Sequence, residues 1–162
     1  MMAEDKTIDI AIVTCSDTRG MRQDTAGAAL ETLIEQAGWR VADHVVVPDE
    51  RDQIAAAIVR ATDEVQADVV LTCGGSGLSL RDVTPEATAD VCDRYVPGIA
   101  EAMRAYGLQK TPYAMLSRAV CMQRGRHLVV NLPGSEKAAR ENWEALEPAL
   151  AHAVSMMAGQ GH

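Results

Sequence analysis

Short apolar runs alternate along the chain with stretches in which apolar residues recur at helical spacing. The runs 8–14, 41–47 and 68–72 are rich in β-branched residues, which is typical of strands buried on both faces of a parallel sheet. Two further strands are predicted at 113–122 and 127–130, joined as a hairpin through Arg124-Gly125.

The intervening stretches predict helices, because their apolar residues fall on one face of a helix. The stripes are Leu30-Leu33-Ile34-Ala37, Ile54-Ile58-Ala61-Val65, Ile99-Met103-Tyr106 and Trp143-Leu146-Leu150-Val154-Met157. Thr84-Pro85-Glu86 marks the start of a short helix, and Pro97 marks the start of the next. Gly38 and Gly107 are predicted to end the helices before them, and Pro148 to kink or divide the last helix.

This alternation predicts a single α/β domain over residues 1–162, with a mostly parallel sheet and helices on both of its faces. In open sheets of this kind, ligands bind beyond the carboxyl ends of the strands. The polar and glycine-rich segments that follow each strand are therefore the candidates for chemistry.

The net charge of −8 narrows the classes of partner. Binding to nucleic acid or to an anionic membrane requires basic surface, so neither is expected. No apolar run approaches the about 20 residues of a membrane span, and residues 1–6 lack a signal-peptide pattern, so we expect a cytosolic protein. The cysteines form no C-x-x-C pair, and we expect buried thiols rather than a zinc site or disulfides.

The segment Gly74-Gly75-Ser76-Gly77, which follows the third strand, is the most suggestive motif. Glycines allow positive φ and a close approach of the backbone to a ligand, and successive amides in such a turn form a nest for phosphate. The segment is neither a Walker A loop nor a dinucleotide fingerprint. The alternative is a tight strand-to-helix turn that binds nothing.

Two acidic residues lie at the same predicted edge of the sheet. Asp82 follows the glycine segment, and Asp49 follows the second strand. A carboxylate beside a phosphate nest requires a bridging cation, and Mg²⁺ binds one or two carboxylates together with phosphate oxygens and water. The alternatives are a helix cap for Asp82 and a turn residue for Asp49.

Cations are scarce in this chain, and several fall in or near the predicted loops: Arg19, Arg22, Arg81, Lys137 and Arg140. Local positive charge would offset the repulsion between an anionic substrate and an acidic protein. The alternative is that these residues are solvated surface groups. Ser135 is predicted to cap the last helix, a role compatible with a phosphate site because both use free amides at a helix start.

Taken together, these motifs resemble the MoaB/Mog family of molybdenum-cofactor biosynthesis proteins. The resemblance rests on the segments Gly74-Gly75-Ser76-Gly77, Arg81-Asp82-Val83-Thr84-Pro85-Glu86-Ala87, Asn131-Leu132-Pro133-Gly134, Ser16-Asp17, Asp24 and Pro48-Asp49-Glu50. It covers about residues 8–154, and the segment 133–138 with Trp143 looks closer to the MoaB branch. One departure is Cys73, which stands where the family usually has threonine.

The resemblance implies a three-layer α/β/α fold that assembles as a trimer or as a hexamer of two trimers. It implies Mg²⁺-dependent adenylylation of molybdopterin by ATP, with release of pyrophosphate. Asp49 and Asp82 match the essential acids, which would also hold the metal. The residues that match nucleotide- and pterin-binding segments are Ser16, Gly74, Gly75, Ser76, Gly77, Arg81, Asn131, Pro133, Gly134 and Ser135.

Two alternatives to the enzyme stay open at the level of sequence. One is a non-catalytic molybdopterin-binding or storage protein with the same fold. The other is a generic flavodoxin-like nucleotide or flavin binder, which the scarcity of aromatic residues in the loops disfavours. The absence of an obvious catalytic histidine is compatible with adenylyl transfer, because a phosphate nucleophile is already ionised at neutral pH.

Overall fold

The computed structural model describes residues 7–160. The strands in this range are β1 (Asp9–Cys15), β2 (Arg40–Val47), β3 (Val69–Cys73), β4 (Arg94–Tyr95), β5 (Cys121–Arg124) and β6 (His127–Leu132). The helices are α1 (Thr25–Gln36), α2 (Arg51–Asp63), α3 (Thr84–Val91), α4 (Pro97–Leu108) and α5 (Glu136–Met157). Residues 1–6, for which no signal peptide is predicted, and residues 161–162 lie outside the described range.

The strands form one sheet in the order β2-β1-β3-β6-β5-β4. The pairs β2–β1, β1–β3 and β3–β6 are parallel, while β5 and β4 are antiparallel additions at one edge. The prediction of a mostly parallel α/β sheet is thus confirmed. The register pairs Cys15 with Val47, and Cys73 with Thr14 and Leu132. The loops after β1, β2, β3 and β6 therefore start side by side.

Helices cover both faces of the sheet, because the apolar side chains of the strands alternate between two cores. Ile10 and Ile12 contribute to the core under α1, α4 and α5. Ala11 and Val13 contribute to the core under α2 and α3. The result is the α/β/α sandwich that the family resemblance implies. None of the helices within residues 7–160 is long and apolar enough to cross a bilayer.

The strand predicted at 113–122 is mostly wrong. Residues Pro112–Leu116 form a 3₁₀ turn, and only Cys121–Arg124 is extended in the sheet. The turn begins at Thr111, whose hydroxyl accepts from the Tyr113 amide at 3.2 Å, and the proline after it lacks the amide that a strand would need. Tyr113, Met115 and Leu116 of the turn are exposed, whereas Ala119, Cys121 and Met122 beyond it are buried. The hairpin between β5 and β6 is confirmed, and the two-residue strand β4 is not predicted by the sequence pattern.

One predicted helix end is confirmed and another is wrong, and the last helix is not divided at its proline. Gly38 follows α1 with φ of 84°, as expected for a helix stop. Gly107 instead lies inside α4, where a Cβ would come within 2.8 Å of the Ala114 side chain, so it permits close packing of the 3₁₀ turn. Helix α5 is continuous through Pro148. Because Pro148 is exposed, water can satisfy the carbonyl of Glu144 that loses its partner.

A buried hydrogen-bond network joins β1, α1 and β2. Asp24 Oδ2 accepts from the Thr14 hydroxyl at 2.5 Å and lies 2.8 Å from His44 Nε2, while His44 Nδ1 lies 2.9 Å from Glu31 Oε1. Burial of the ring lowers the pKa of His44, but its hydrogen bonds to the two carboxylates outweigh burial and raise that pKa overall. Burial raises the pKa of Asp24, but the hydrogen bonds from His44, Thr14 and the Gly27 amide outweigh burial and lower that pKa overall.

We expect His44→Leu to lower the free energy of unfolding by about 3 kcal/mol near about pH 6, because it leaves Asp24 as a buried charge without its cation. The folded pKa of His44 lies above the unfolded value, so this stabilisation is lost as the pH rises through the folded pKa. The pKa of Asp24 in the folded protein lies below its unfolded value, so the stabilisation by this pair is also lost as the pH falls through the folded pKa of Asp24. Urea unfolding at about pH 6 and about pH 9 measures the difference.

His152→Leu is the control, since His152 is exposed on α5. This variant should change the free energy of unfolding by less than about 0.5 kcal/mol at either pH. An equal loss for His44→Leu at both pH values would contradict the charged pair.

Candidate active site

A cavity of about 650 Å³ opens at the carboxyl ends of β1, β3 and β6. The chain leaves β1 for β2 on one side and returns to β3 on the other, so the cavity lies at the switch point where open α/β sheets bind ligands. Loops after β1, β2, β3 and β6 form one part of the wall, and α4, the 3₁₀ turn 112–116 and the start of α5 form the rest.

The floor of the cavity is the glycine segment, whose backbone requires glycine at two positions. Gly74 has φ of 102°, and a Cβ there would lie 2.5 Å from the carbonyl oxygen of Cys15. Gly75 has φ of 72°, and a Cβ there would collide with the Thr84 hydroxyl. Both positions combine the left-handed backbone with close contact, so a side chain would distort the segment.

The carbonyl groups of residues 74–77 all have hydrogen-bond donors. Thr84 donates from its hydroxyl and its amide to the first two, at 3.0 Å each. Arg118 donates from its amide at 2.8 Å and from Nε at 2.7 Å to the last two. Within the described residues, the amides of Gly75 and Ser76 have no acceptor. The segment therefore has amides available for an anion, while its carbonyl oxygens are occupied.

The structure brings Asp49 and Asp82 to this same cavity. Asp82 Oδ2 accepts from the Gly77 amide at 3.1 Å, while Val83, not Asp82, is the residue at the cap of α3. Asp49 Oδ2 accepts from the Asp17 amide at 3.1 Å, and the Asp17 carboxylate accepts from the Asp49 amide at 2.9 Å. This reciprocal pair ties the loops after β1 and β2 together.

Asp49 is in an electrostatically unfavourable place for an isolated carboxylate. Its pKa is raised, first by burial and then by the charges of Asp17 and Asp82. Its second oxygen, Oδ1, is buried and has no hydrogen-bond partner among the described residues. A cation beside Asp49 and Asp82 would relieve both effects.

Three other predicted residues line the cavity, namely Ser16, Pro133 and Gly134. Ser16 accepts through its hydroxyl from the amides of Thr18 and Arg19, at 3.3 and 3.1 Å, which shapes the loop after β1. Among the predicted cations, Arg19 lines the cavity, whereas Arg22, Arg81, Lys137 and Arg140 do not.

The structure places Arg81, Asn131 and Ser135 outside the cavity lining. Arg81 binds the Asp17 carboxylate through two hydrogen bonds of 3.0 Å and also binds Glu50 at 2.9 Å. Its positive charge therefore pairs with acids of neighbouring loops. Ser135 caps α5, with its hydroxyl accepting from the Ala138 amide at 3.3 Å, which confirms the capping prediction.

Asn131 is fully buried in β6 and holds neighbouring segments in place. Its amide donates to the hydroxyls of Thr72 and Thr88 at 3.0 Å each, and its oxygen accepts from the Val120 amide at 3.2 Å. All of its polar atoms are therefore engaged in linking β6 to β3, α3 and the segment before β5.

The two cysteines in the cavity wall are not candidates for nucleophiles. Burial raises the pKa of both Cys15 and Cys73 to about 12, so both stay protonated thiols. Cys73 Sγ donates to the Pro133 carbonyl at 3.3 Å. This contact supplies a hydrogen bond under the loop at the position where the family usually has a hydroxyl.

Sequence reasoning missed the wall that α4, the 3₁₀ turn and α5 contribute, together with Arg118 behind the glycine segment. Arg104 lines this wall and donates to the Ala119 carbonyl at 2.8 Å. A signal for Arg118 was present in the sequence, because it is the only charged residue in the apolar run 112–122.

Comparisons with known proteins agree with this architecture. Residues 9–152 match the family model described as "Probable molybdopterin binding domain". A molybdopterin adenylyltransferase from Helicobacter pylori is 38% identical over 158 residues, which cover 95% of this chain and 90% of the relative. The Escherichia coli protein of the same name is 38% identical over 152 residues, covering 91% and 78%.

A solved structure of the molybdopterin biosynthesis enzyme MoaB from Thermus thermophilus superposes with a TM-score of 0.88. It is 46% identical to this chain, and the match covers 96% of this chain and 99% of the other. The family resemblance that the motifs indicate is thereby confirmed.

Gly75→Ala tests the anion nest, because a methyl group at this position meets the Thr84 hydroxyl and requires a disfavoured φ. We expect the variant to lose about 1–3 kcal/mol of stability and to bind inorganic pyrophosphate at least about tenfold more weakly than wild type. Calorimetric titration with pyrophosphate, below the unfolding transition of both proteins, measures the binding.

Gly98→Ala is the matched control, since a Cβ at Gly98 meets nothing within 4 Å and lies in the first turn of α4. This variant should bind pyrophosphate as wild type does. Unchanged binding by Gly75→Ala would show that the segment is only a turn.

Proposed function

The chain belongs to the "Probable molybdopterin binding domain" family, and from this premise we propose that it is a molybdopterin adenylyltransferase that acts in molybdenum-cofactor biosynthesis. In the proposed reaction, a terminal phosphate oxygen of molybdopterin attacks the α-phosphorus of ATP. A new phosphoanhydride forms, the bond between the α- and β-phosphates breaks, and pyrophosphate leaves. The product is adenylyl-molybdopterin.

One observation carries this proposal: unpaired backbone amides and two carboxylates share the wall of one cavity. Nucleotidyl transfer needs two anionic reactants held in line and their charge neutralised, with little covalent chemistry from the protein. The amides of Gly75 and Ser76 are suited to hold phosphate oxygens. Arg19, in the loop after β1, adds a cation to the wall of the cavity. The phosphate nucleophile needs no strong general base.

The donor set fits Mg²⁺. Within residues 7–160 no three His, Cys, Asp or Glu side chains cluster in a way that would hold a metal alone. Two carboxylates, one with a buried unpaired oxygen, suit an ion that completes its shell with phosphate oxygens and water. Asp49 and Asp82 would hold it, and when bound it neutralises charge on the transferring phosphates.

The oligomeric state belongs to the same proposal. We expect a homotrimer, or a hexamer of two trimers, in the cytosol. Support for self-association comes from two apolar side chains on and near the 3₁₀ turn that are exposed and do not line the cavity, Leu108 and Met115. Sedimentation of the purified chain tests the assembly.

Asp49→Asn and Asp82→Asn should each lower the rate of pyrophosphate release from ATP and molybdopterin by at least about 100-fold. Both variants should fold, because an amide oxygen can still accept from the Asp17 or Gly77 amide. Asp49→Asn should be at least as stable as wild type in urea at about pH 7 without Mg²⁺, since a raised carboxyl pKa marks a charge that destabilises the fold above that pKa. A coupled pyrophosphate assay measures turnover.

Asp52→Asn is the control, because Asp52 is an exposed acid in the first turn of α2 and does not line the cavity. Its turnover should equal that of wild type. Normal turnover by both cavity variants would contradict the assigned site. Molybdopterin binding by wild type without any turnover would favour the storage protein over the enzyme.

A further inference from the structure

Arg118 lies directly behind the glycine segment and outside the cavity lining. Its side chain makes hydrogen bonds to the main chain on both sides of the loop that joins the segment to Asp82. Nε donates to the Gly77 carbonyl at 2.7 Å, and Nη2 donates to the Asp82 carbonyl at 2.8 Å. The Arg118 amide also donates to the Ser76 carbonyl at 2.8 Å.

The rest of the guanidinium is held by Glu86 of α3. Nη1 lies 2.8 and 2.9 Å from the two carboxylate oxygens of Glu86. This ion pair fixes the plane of the guanidinium, and it also offsets the positive charge. Arg118 is therefore unsuited to act as a phosphate-binding cation, and its effect on a ligand must pass through the loop.

The two carbonyls matter because of where their peptide groups point. An anion in the cavity is repelled by a carbonyl oxygen and attracted by an amide. Donors behind the loop hold the carbonyls of Gly77 and Asp82 in fixed directions. The Gly77 amide shares a peptide group with the Ser76 carbonyl, which the Arg118 amide holds, and it donates to Asp82 Oδ2 at 3.1 Å. Because the Arg118 side chain also holds the Asp82 carbonyl, Arg118 acts on both ends of this hydrogen bond.

We propose that Arg118 is a positioning residue for the nucleotide site: its planar fork holds the main chain at Gly77 and Asp82, and so keeps the Asp82 carboxylate in place beside the phosphate-binding amides of Gly75 and Ser76. This inference rests on the proposed function. A lysine at this position would keep the charge and the pairing with Glu86. It would not span the two carbonyls, because an ammonium group lacks the fixed fork of a guanidinium.

The test compares Arg118→Lys and Arg118→Gln with wild type. We expect Arg118→Lys to unfold close to the wild-type temperature but to bind MgATP at least about tenfold more weakly, since one or two directed hydrogen bonds are lost. Arg118→Gln should bind equally weakly and also unfold at a lower temperature, because Glu86 loses its partner. Calorimetry with MgATP and thermal unfolding give the two readouts, and the KM for ATP should rise together with a fall in kcat.

Arg40→Lys is the matched control, because Arg40 makes a similar two-bond pair with Asp9 at the opposite end of the sheet. It should leave MgATP binding unchanged. Wild-type affinity for MgATP in Arg118→Lys would overturn the inference, as would a lower unfolding temperature without weaker binding in Arg118→Gln.

The binding readout separates this inference from the proposed function. If wild type binds MgATP but never releases pyrophosphate, the enzyme proposal fails while the calorimetric comparison still decides the role of Arg118. If wild type turns over and Arg118→Lys binds MgATP normally, the function stands and the positioning role is wrong.

Discussion

The site depends on the direction in which residues 74–77 turn their peptide groups. An acidic protein of net charge −8 repels polyanions at long range, so attraction must come from local dipoles and a few cations. Donors from Thr84 and Arg118 occupy the carbonyls of this segment, and two amides are left without acceptors. Without those donors, carbonyl oxygens would be free to face the cavity. They would then add to the repulsion between the acidic protein and a polyanion.

The sheet supplies the second constraint, which is register. Because β1, β2, β3 and β6 are parallel and end at paired residues, four loops that are distant in sequence start within one row. Asp49 and Asp82 reach the cavity for this reason. The reciprocal bonds between Asp17 and Asp49 then fix the first of these acids, and the Gly77 amide fixes the second.

The fold and the ligand edge could be predicted because buried parallel strands and amphipathic helices leave clear periodic patterns. The pattern misled at 113–116, where exposed apolar side chains of the 3₁₀ turn mimic a buried strand. The individual roles of polar residues were less accessible. Arg81 and Asn131 lie in segments near the site, yet their side chains donate hydrogen bonds to other parts of the protein and do not line the cavity. Only the three-dimensional pairing distinguishes such a residue from one that faces the cavity.

Asp49 in the cavity and Asp24 beneath α1 are in opposite electrostatic environments. Asp24 is buried with His44, and its hydrogen bonds lower its pKa, so its charge stabilises the fold. Asp49 is half-buried near two like charges, its pKa is raised, and its buried oxygen Oδ1 has no hydrogen-bond partner among the described residues. A carboxylate in the second situation opposes folding unless a cation joins it. The direction of the pKa shift thus distinguishes Asp24, which belongs to a structural ion pair, from Asp49, which belongs to a binding site.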